Sequence, residues 1–121
     1  MKAVLVGLGS MGRNHYRTIK NNQDINFVAV VEPNDELVAD IDVKRYRDVD
    51  QVLENEEIDL AIIATPTSTH LDVSIKFLER GIHLLVEKPI ATNSKDANKL
   101  ENLAHKNNAK LIVGHVERFN P

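Results

Sequence analysis

The feature of this sequence that most constrains its fold is a series of short apolar runs rich in valine, isoleucine and leucine. The runs at residues 27–31 and 60–64 contain no alternating polar positions. A strand of this kind is buried on both faces, which is typical of a parallel sheet covered by helices. We therefore predict six strands, at residues 3–6, 27–31, 43–46 (the weakest), 60–64, 82–86 and 111–113, with the continuous apolar runs buried on both faces.

The stretches between these runs have the spacing of amphipathic helices. Leu71, Ile75 and Leu78 are four and then three residues apart, so they share one face of a helix. Thr69 and Asp72 have the spacing of a capping box, which predicts that the Thr69 side chain caps the start of that helix. The other helices are predicted at residues 11–22 and 48–55, and from Ser94 to the pair Asn107-Asn108.

Strands and helices thus alternate along the whole chain. This alternation predicts a three-layer, doubly wound α/β fold. Right-handed crossovers and the usual switch point give a parallel sheet with strand order 3-2-1-4-5-6. The length of 121 residues is that of one domain, and no internal linker, repeat or low-complexity tract divides it. We expect residues 1–121 to form a single domain.

The composition excludes several classes of function. A net charge of −3 gives no basic surface for nucleic acid. The absence of cysteine excludes disulfides and cysteine-based zinc sites, and no histidines are spaced as metal ligands on one face, so we expect no metal site. The N-terminal apolar run is too short for a signal segment or a membrane span. We expect a cytoplasmic protein with neither a membrane nor a nucleic-acid partner.

A glycine motif lies directly after the first predicted strand and opens the first predicted helix. Residues 7–12 read Gly-Leu-Gly-Ser-Met-Gly, a G-x-G-x-x-G pattern. Gly7 permits the tight turn, Gly9 lets a pyrophosphate approach the backbone, and Gly12 lets the helix pack closely on the strand. At Ser10 and Met11 the start of the helix offers free N–H groups and a partial positive charge to phosphates. In this context the motif predicts a Rossmann-type dinucleotide site; the alternative is a glycine turn without a ligand.

An acidic residue ends the second predicted strand. Glu32 follows Gly12 by about 20 residues, the spacing at which a carboxylate accepts hydrogen bonds from the adenosine ribose hydroxyls. A carboxylate there repels the 2′-phosphate of NADP, and no arginine or lysine lies between Glu32 and Lys44 to bind that phosphate. The sequence therefore predicts NAD in preference to NADP. The alternative is that Glu32 is a solvated residue at the end of a strand.

Three further segments follow predicted strands at the edge where open α/β sheets bind ligands. They read Ala-Thr-Pro-Thr-Ser-Thr-His at 64–70, Glu-Lys-Pro at 87–89, and Gly-His-Val-Glu-Arg-Phe-Asn-Pro at 114–121. In this order and spacing they resemble the family of glucose–fructose oxidoreductase, inositol dehydrogenase and the rhizopine-catabolism proteins (Gfo/Idh/MocA). The resemblance covers the whole chain, and Glu-Lys-Pro is its most specific part. That segment argues against a different Rossmann enzyme, such as an aspartate or homoserine dehydrogenase-like protein.

The resemblance implies roles for particular residues. Besides the glycine turn and Glu32, the cofactor would contact Thr65, Pro66, Thr67, His70, Glu87 and Lys88. Lys88 would also contact the reacting hydroxyl of the substrate, and it is the one catalytic residue that we predict. Without the resemblance, a lysine in a loop before Pro89 is more simply a surface residue.

The resemblance also implies an activity. Members of the family are NAD(P)-dependent oxidoreductases that transfer hydride between nicotinamide and a hydroxyl carbon of a sugar, cyclitol or nucleotide sugar. The segment at 114–121 looks most like members that act on UDP-linked amino sugars, such as UDP-N-acetylglucosamine 3-dehydrogenases.

One departure from the family is that nothing here corresponds to its second, C-terminal domain, which supplies most substrate contacts, further catalytic residues and the oligomer interface. We expect this chain to be an excised or a natural stand-alone cofactor domain that binds NAD without turnover. We also expect it to form a homodimer through an exposed sheet edge. The alternative from another class is a non-catalytic dinucleotide-binding or sensor module.

Overall fold

The computed structural model describes residues 1–114, in which six strands form one sheet. The strands are β1 (Lys2–Val6), β2 (Asn26–Val31), β3 (Lys44–Tyr46), β4 (Leu60–Ile63), β5 (His83–Glu87) and β6 (Leu111–Gly114). All neighbouring strands are parallel, and they follow the order β3-β2-β1-β4-β5-β6. The predicted order 3-2-1-4-5-6 is therefore confirmed.

Helices connect these strands in sequence. Within residues 1–114 they are α1 (Ser10–Lys20), α2 (Val49–Asn55), α3 (His70–Leu78) and α4 (Ser94–Lys106). Short 3₁₀ turns at Asp35–Leu37 and Thr67–Thr69 follow β2 and β4. The strand and helix ends agree with the predicted ranges to within about two residues. None of the helices in the described part of the chain is long and apolar enough to cross a membrane.

One face of the sheet is covered by α1. Tyr16 and Ile19 on this helix are buried against Leu5, Val30 and Ile62, which come from the central strands β1, β2 and β4. Because α1 begins directly after β1, this packing fixes the N-terminus of the helix at the carboxyl ends of the strands.

The opposite face is covered by α2, α3 and α4. Val52, Phe77 and Leu100 come from these helices and are fully buried in one cluster with Ala61 and Leu84 of the sheet. Helices therefore lie on both faces of a parallel sheet, and the predicted three-layer α/β class is confirmed.

Burial on both faces, expected for continuous apolar runs, does not hold for the edge strand β6, whose exposure agrees with the exposed sheet edge that we expect. Ile112 is 52% exposed and Val113 is 40% exposed. Among residues 1–114, β6 pairs with β5 alone, and α1 covers the central strands on its own face of the sheet. A continuous apolar run therefore predicts the strand correctly, whereas the position of that strand in the sheet decides how much of it is covered.

The predicted capping box at Thr69 is also wrong. Thr69 has helical backbone angles (φ −98°, ψ −9°) and makes no side-chain cap on α3. Its hydroxyl instead donates to the carbonyl oxygen of Pro66 at 2.7 Å, within the preceding 3₁₀ turn. Side chains do cap two other helices, since Asp48 accepts from the first turn of α2 and Asn93 from the first turn of α4.

The first crossover depends on a very close approach between α1 and the end of β1. A Cβ atom added at Gly12 would lie 2.0 Å from the carbonyl oxygen of Gly7 and 3.7 Å from the Cβ of Ala64. No larger residue fits there without separating the helix from the strand. This geometry agrees with the predicted role of Gly12, which is to let α1 pack closely against β1.

We expect Gly12→Ala to lower the free energy of unfolding by about 1–3 kcal/mol, the usual cost of overpacking a tight contact. Urea denaturation of the 121-residue chain measures this change. Gly9→Ala is the matched control, because nothing lies within 4 Å of the position that a Cβ at Gly9 would take. Equal stabilities of the two variants would contradict the close-packing argument.

Candidate functional site

A cleft opens along the carboxyl ends of β1, β2 and β4. Its volume is about 710 Å³, within the range of about 300–1,000 Å³ that is usual for small-molecule sites. It lies where the strand order reverses between β1 and β4, which is the place where doubly wound sheets bind ligands. The predicted site residues that line it are Gly7, Gly9, Ser10, Met11, Glu32, Thr65 and Pro66.

The glycine turn forms one wall of the cleft. Gly7 has a φ of +100°, and a Cβ there would lie 2.7 Å from the carbonyl oxygen of Ala64, so both backbone conformation and space require glycine. Gly9 is exposed and has extended backbone angles, with no atom near the position of a Cβ. The backbone at Gly9 is therefore open to close approach from the cleft.

The N-terminus of α1 points into this wall without a cap. The N–H of Arg13 donates to the carbonyl of Gly9 at 2.9 Å, and this bond begins the helix. No side chain caps the helix, and its first turn contains no acidic residue. The N–H groups at Ser10 and Met11 thus lie at the positive end of the helix dipole, which is suited to an anionic group.

Glu32 lies beside the glycine turn and is only 7% exposed. Its Oε1 accepts a hydrogen bond from the N–H of Leu8 at 2.9 Å, and its Oε2 accepts one from the N–H of Asn34 at 3.0 Å. Each oxygen keeps lone pairs for a further donor in the cleft. The alternative of a solvated residue at the end of a strand is therefore wrong.

The neighbouring strand β3 supplies a cation near Glu32. Arg47 lines the cleft, and its Nη1 lies 3.3 Å from the carbonyl oxygen of Pro33, the residue after Glu32. The cause is strand pairing: Val31 lies opposite Tyr46 in the β2–β3 register, so Arg47 follows β3 at the level of Glu32. The absence of arginine and lysine between Glu32 and Lys44 therefore does not keep cations away from this part of the cleft.

Apolar side chains also line the cleft. Among them are Leu37 from the 3₁₀ turn, Val49 from α2 and Val73 from α3, alongside the charged residues Asp48, Asp72 and Lys76. Each of the three apolar residues comes from a different element and none belongs to a motif, so the sequence pattern does not single them out. Apolar lining of this kind is suited to a flat, weakly polar ring.

Only part of the segment after β4 lines the cleft. Thr65 and Pro66 line the cleft, whereas Thr67 and His70 do not. His70 is fully buried, with Nε2 lying 2.8 Å from the carbonyl oxygen of Thr65 and Nδ1 lying 3.1 Å from that of Pro89. The imidazole therefore joins the loop after β4 to the loop after β5.

Glu87 and Lys88 lie at the end of β5, outside the lining of the cleft. The half-buried carboxylate of Glu87 pairs with Nε2 of His15, which α1 supplies from 72 residues away in sequence. Lys88 is exposed, its N–H donates to the carbonyl of Gly114 at 3.0 Å, and its peptide bond to Pro89 is cis. Its ammonium group forms no ion pair with residues 1–114.

Two other expectations concern the rest of the chain. The segment at 114–121 continues past the described residues, so seven of its eight positions lie outside them. Within residues 1–114, no three histidine, aspartate or glutamate side chains come together as metal ligands would.

Comparison with known proteins identifies the family of this chain. Residues 1–115 match the family model described as an oxidoreductase family with an NAD-binding Rossmann fold. The UDP-N-acetylglucosamine 3-dehydrogenase of Acidithiobacillus ferrooxidans is 32% identical over 100% of this chain and 39% of its own length. The rhizopine catabolism protein MocA of Rhizobium meliloti is 32% identical over 97% of this chain and 38% of its own.

A solved structure gives the same result. The WlbA dehydrogenase from Chromobacterium violaceum, in complex with NADH and UDP-GlcNAcA, is 26% identical and superposes with a TM-score of 0.90 over 99% of this chain and 36% of that one. The chain spans about two fifths of the length of the curated relatives. It belongs to the Gfo/Idh/MocA oxidoreductase family and corresponds to the family's NAD-binding Rossmann domain.

Proposed function

We propose that this chain binds NAD across the cleft and acts as the cofactor domain of a dehydrogenase. The observation that carries the proposal is the uncapped N-terminus of α1, which opens at Gly9 beside the buried carboxylate of Glu32. One partial positive charge and one hydrogen-bond acceptor, side by side, match a pyrophosphate and a ribose in the order that a dinucleotide presents them.

The adenosine half of NAD fits the β1–β2 side of the cleft. The N–H groups at Ser10 and Met11 bind the pyrophosphate, to which Gly9 offers no side chain. Glu32 accepts hydrogen bonds from the ribose hydroxyls through the lone pairs that Leu8 and Asn34 leave free. The apolar lining residues Leu37, Val49 and Val73 then contact the adenine ring.

The nicotinamide half fits the β4–β5 side. Thr65 and Pro66 are the lining residues at that end, and Glu87 and Lys88 lie beyond them at the next strand end. When bound, NAD supplies a hydride acceptor at its nicotinamide ring. The exposed ammonium group of Lys88 binds the reacting hydroxyl of the substrate and takes part in moving its proton. His70 acts on the cofactor through the backbone of the two loops that it joins, and Thr67 lies in the 3₁₀ turn of the first of these loops.

The substrate that we propose is a sugar, a cyclitol or a nucleotide sugar that is oxidised at a hydroxyl carbon. UDP-N-acetylglucosamine is one candidate. The relative from A. ferrooxidans and the WlbA dehydrogenase, with its bound UDP-GlcNAcA, support this class. Because the chain spans about two fifths of its relatives, residues beyond this chain would contribute most of the substrate contacts. The exposed apolar side chains of β6 support a homodimer as part of the same proposal.

We expect Gly9→Val to abolish NAD binding while leaving the melting temperature nearly unchanged. The valine side chain would point into open space in the protein, where the pyrophosphate lies in the complex. Isothermal titration with NAD and thermal unfolding of the same sample measure the two effects. NAD affinity equal to that of the unsubstituted chain would show that the glycine turn does not hold the phosphates.

We expect the isolated chain to bind NAD in the micromolar to millimolar range without producing NADH from any sugar or nucleotide sugar. An open nicotinamide face cannot hold substrate in place, and positioning contributes roughly 7–11 kcal/mol to lowering a barrier. In a longer protein that contains the remaining domain, Lys88→Ala should lower kcat by about 100-fold or more, with NAD affinity unchanged.

Lys95→Ala on α4 is the matched control for charge, because Lys95 lies on a helix outside the cleft and should leave kcat unchanged. Turnover by the isolated 121-residue chain, if Lys88→Ala abolished it, would contradict the proposal that catalysis needs residues beyond this chain. A longer protein that binds NAD yet oxidises no polyol or nucleotide sugar would instead favour a sensor module.

A further inference from the structure

Two arginines and one aspartate form an ion-pair cluster at the adenosine end of the cleft. The Nη2 atoms of Arg45 and Arg47 each lie 2.8 Å from Oδ1 of Asp35. The two arginines are two residues apart at the end of β3, so their side chains leave the backbone in the same direction. Arg45 also donates through Nε to the carbonyl of Glu32 at 2.8 Å, which fixes the cluster to the end of β2.

This cluster lies next to the proposed ribose position. Arg47, Glu32 and Pro33 all line the cleft, and Arg47 contacts the Pro33 carbonyl. A guanidinium group binds a phosphate through paired, charge-assisted hydrogen bonds. The sequence around Glu32 thus predicts rejection of a 2′-phosphate, whereas the folded chain places the guanidinium group of Arg47 in the cleft lining, with Arg45 paired to the same aspartate just outside that lining.

Asp35 contacts both of these arginines. We propose that Asp35 is a specificity-determining residue, which occupies the guanidinium groups of Arg45 and Arg47 and so keeps them from binding the 2′-phosphate of NADP. This inference rests on the proposed binding of NAD in the cleft. It assigns the preference for NAD to two carboxylates rather than to Glu32 alone.

The local charge supports this assignment. Glu32 and Asp35 together balance the charges of Arg45 and Arg47, and Asp48, which also lines the cleft, adds a further negative charge. The hydrogen bond from Arg45, with Arg47 close by, holds the pKa of Asp35 below its usual value, so this carboxylate is ionised at neutral pH. A 2′-phosphate carries a charge of about −1.5 to −2. It would enter a site whose cations are already paired.

The ion pairs are weak enough to be exchanged. The side chains of Asp35 and Arg47 are 66% and 57% exposed, and exposed ion pairs contribute little net free energy. Removing the charge of Asp35 should therefore leave the fold intact and release Arg47 toward the cleft. The expected gain is modest, with NADPH affinity rising about fivefold and NADH affinity changing by less than about twofold.

The test measures dissociation constants of NADH and NADPH for the 121-residue chain by titration of nucleotide fluorescence at neutral pH. Asp35→Asn should raise the affinity for NADPH, and the gain should shrink at high salt because exposed charges are screened. Adding Arg47→Ala to Asp35→Asn should remove the gain.

Asp40→Asn is the matched control. Asp40 is an exposed carboxylate in the same loop, paired with Arg13 and outside the lining of the cleft, so its loss changes net charge equally. An equal gain in NADPH affinity for Asp40→Asn would show that the gain comes from the change in net charge alone, and it would overturn the inference. So would an unchanged NADPH affinity in Asp35→Asn with NADH binding intact, or a preference of the unsubstituted chain for NADPH. A chain that binds neither nucleotide would overturn the proposed function itself, and the inference with it.

Discussion

The contact that the rest of this structure depends on is the close approach of α1 to the turn after β1. Gly7 lies against the backbone of Ala64, and Gly12 lies against the carbonyl of Gly7, with no room for a side chain at either place. This approach brings the start of α1 down to the level at which β1, β2 and β4 end. A helix displaced by a single methyl group would move its free N–H groups away from the cleft. The packing constraint and the proposed phosphate site are thus one feature of the backbone.

Polar side chains then fix the strand ends to one another. Glu32 links the turn after β1 to the residue Asn34 after β2, and His70 links the loop after β4 to the loop after β5. The pair of His15 and Glu87 links α1 to the end of β5. Each link joins segments that follow the carboxyl ends of the strands, beyond the backbone hydrogen bonds of the sheet. Links of this kind restrain the loops that carry the cleft, and a site restrained before binding has a lower entropic cost of binding.

The sequence is sufficient for most features that depend on local pattern, with the cap at Thr69 as the exception. The apolar runs predicted the strands, their alternation with helices predicted the order 3-2-1-4-5-6, and the glycine spacing predicted the turn. It was not sufficient where distant segments meet. Arg47 lies near Glu32 only because β3 pairs with β2 in a register with Val31 opposite Tyr46, and His15 meets Glu87 across 72 residues of chain. Thr69 does not cap α3 because its hydroxyl donates to the carbonyl of Pro66 within a 3₁₀ turn. The capping-box spacing contains no sign of this turn.

The two halves of the cleft are built to different degrees. On the β1–β2 side the ligand groups are already in place: Glu32 is buried and held by two N–H groups, and the helix start is open. On the β5–β6 side Lys88 is exposed, and Ile112 and Val113 present apolar surface to solvent. Binding needs only fixed donors and acceptors, whereas hydride transfer also needs the substrate carbon to be held close to the cofactor and shielded from water. Under the proposed function, we expect the described residues to meet the first requirement, and we expect the second to need residues that cover the β5–β6 edge. Binding of the dinucleotide and hydride transfer are then separable properties.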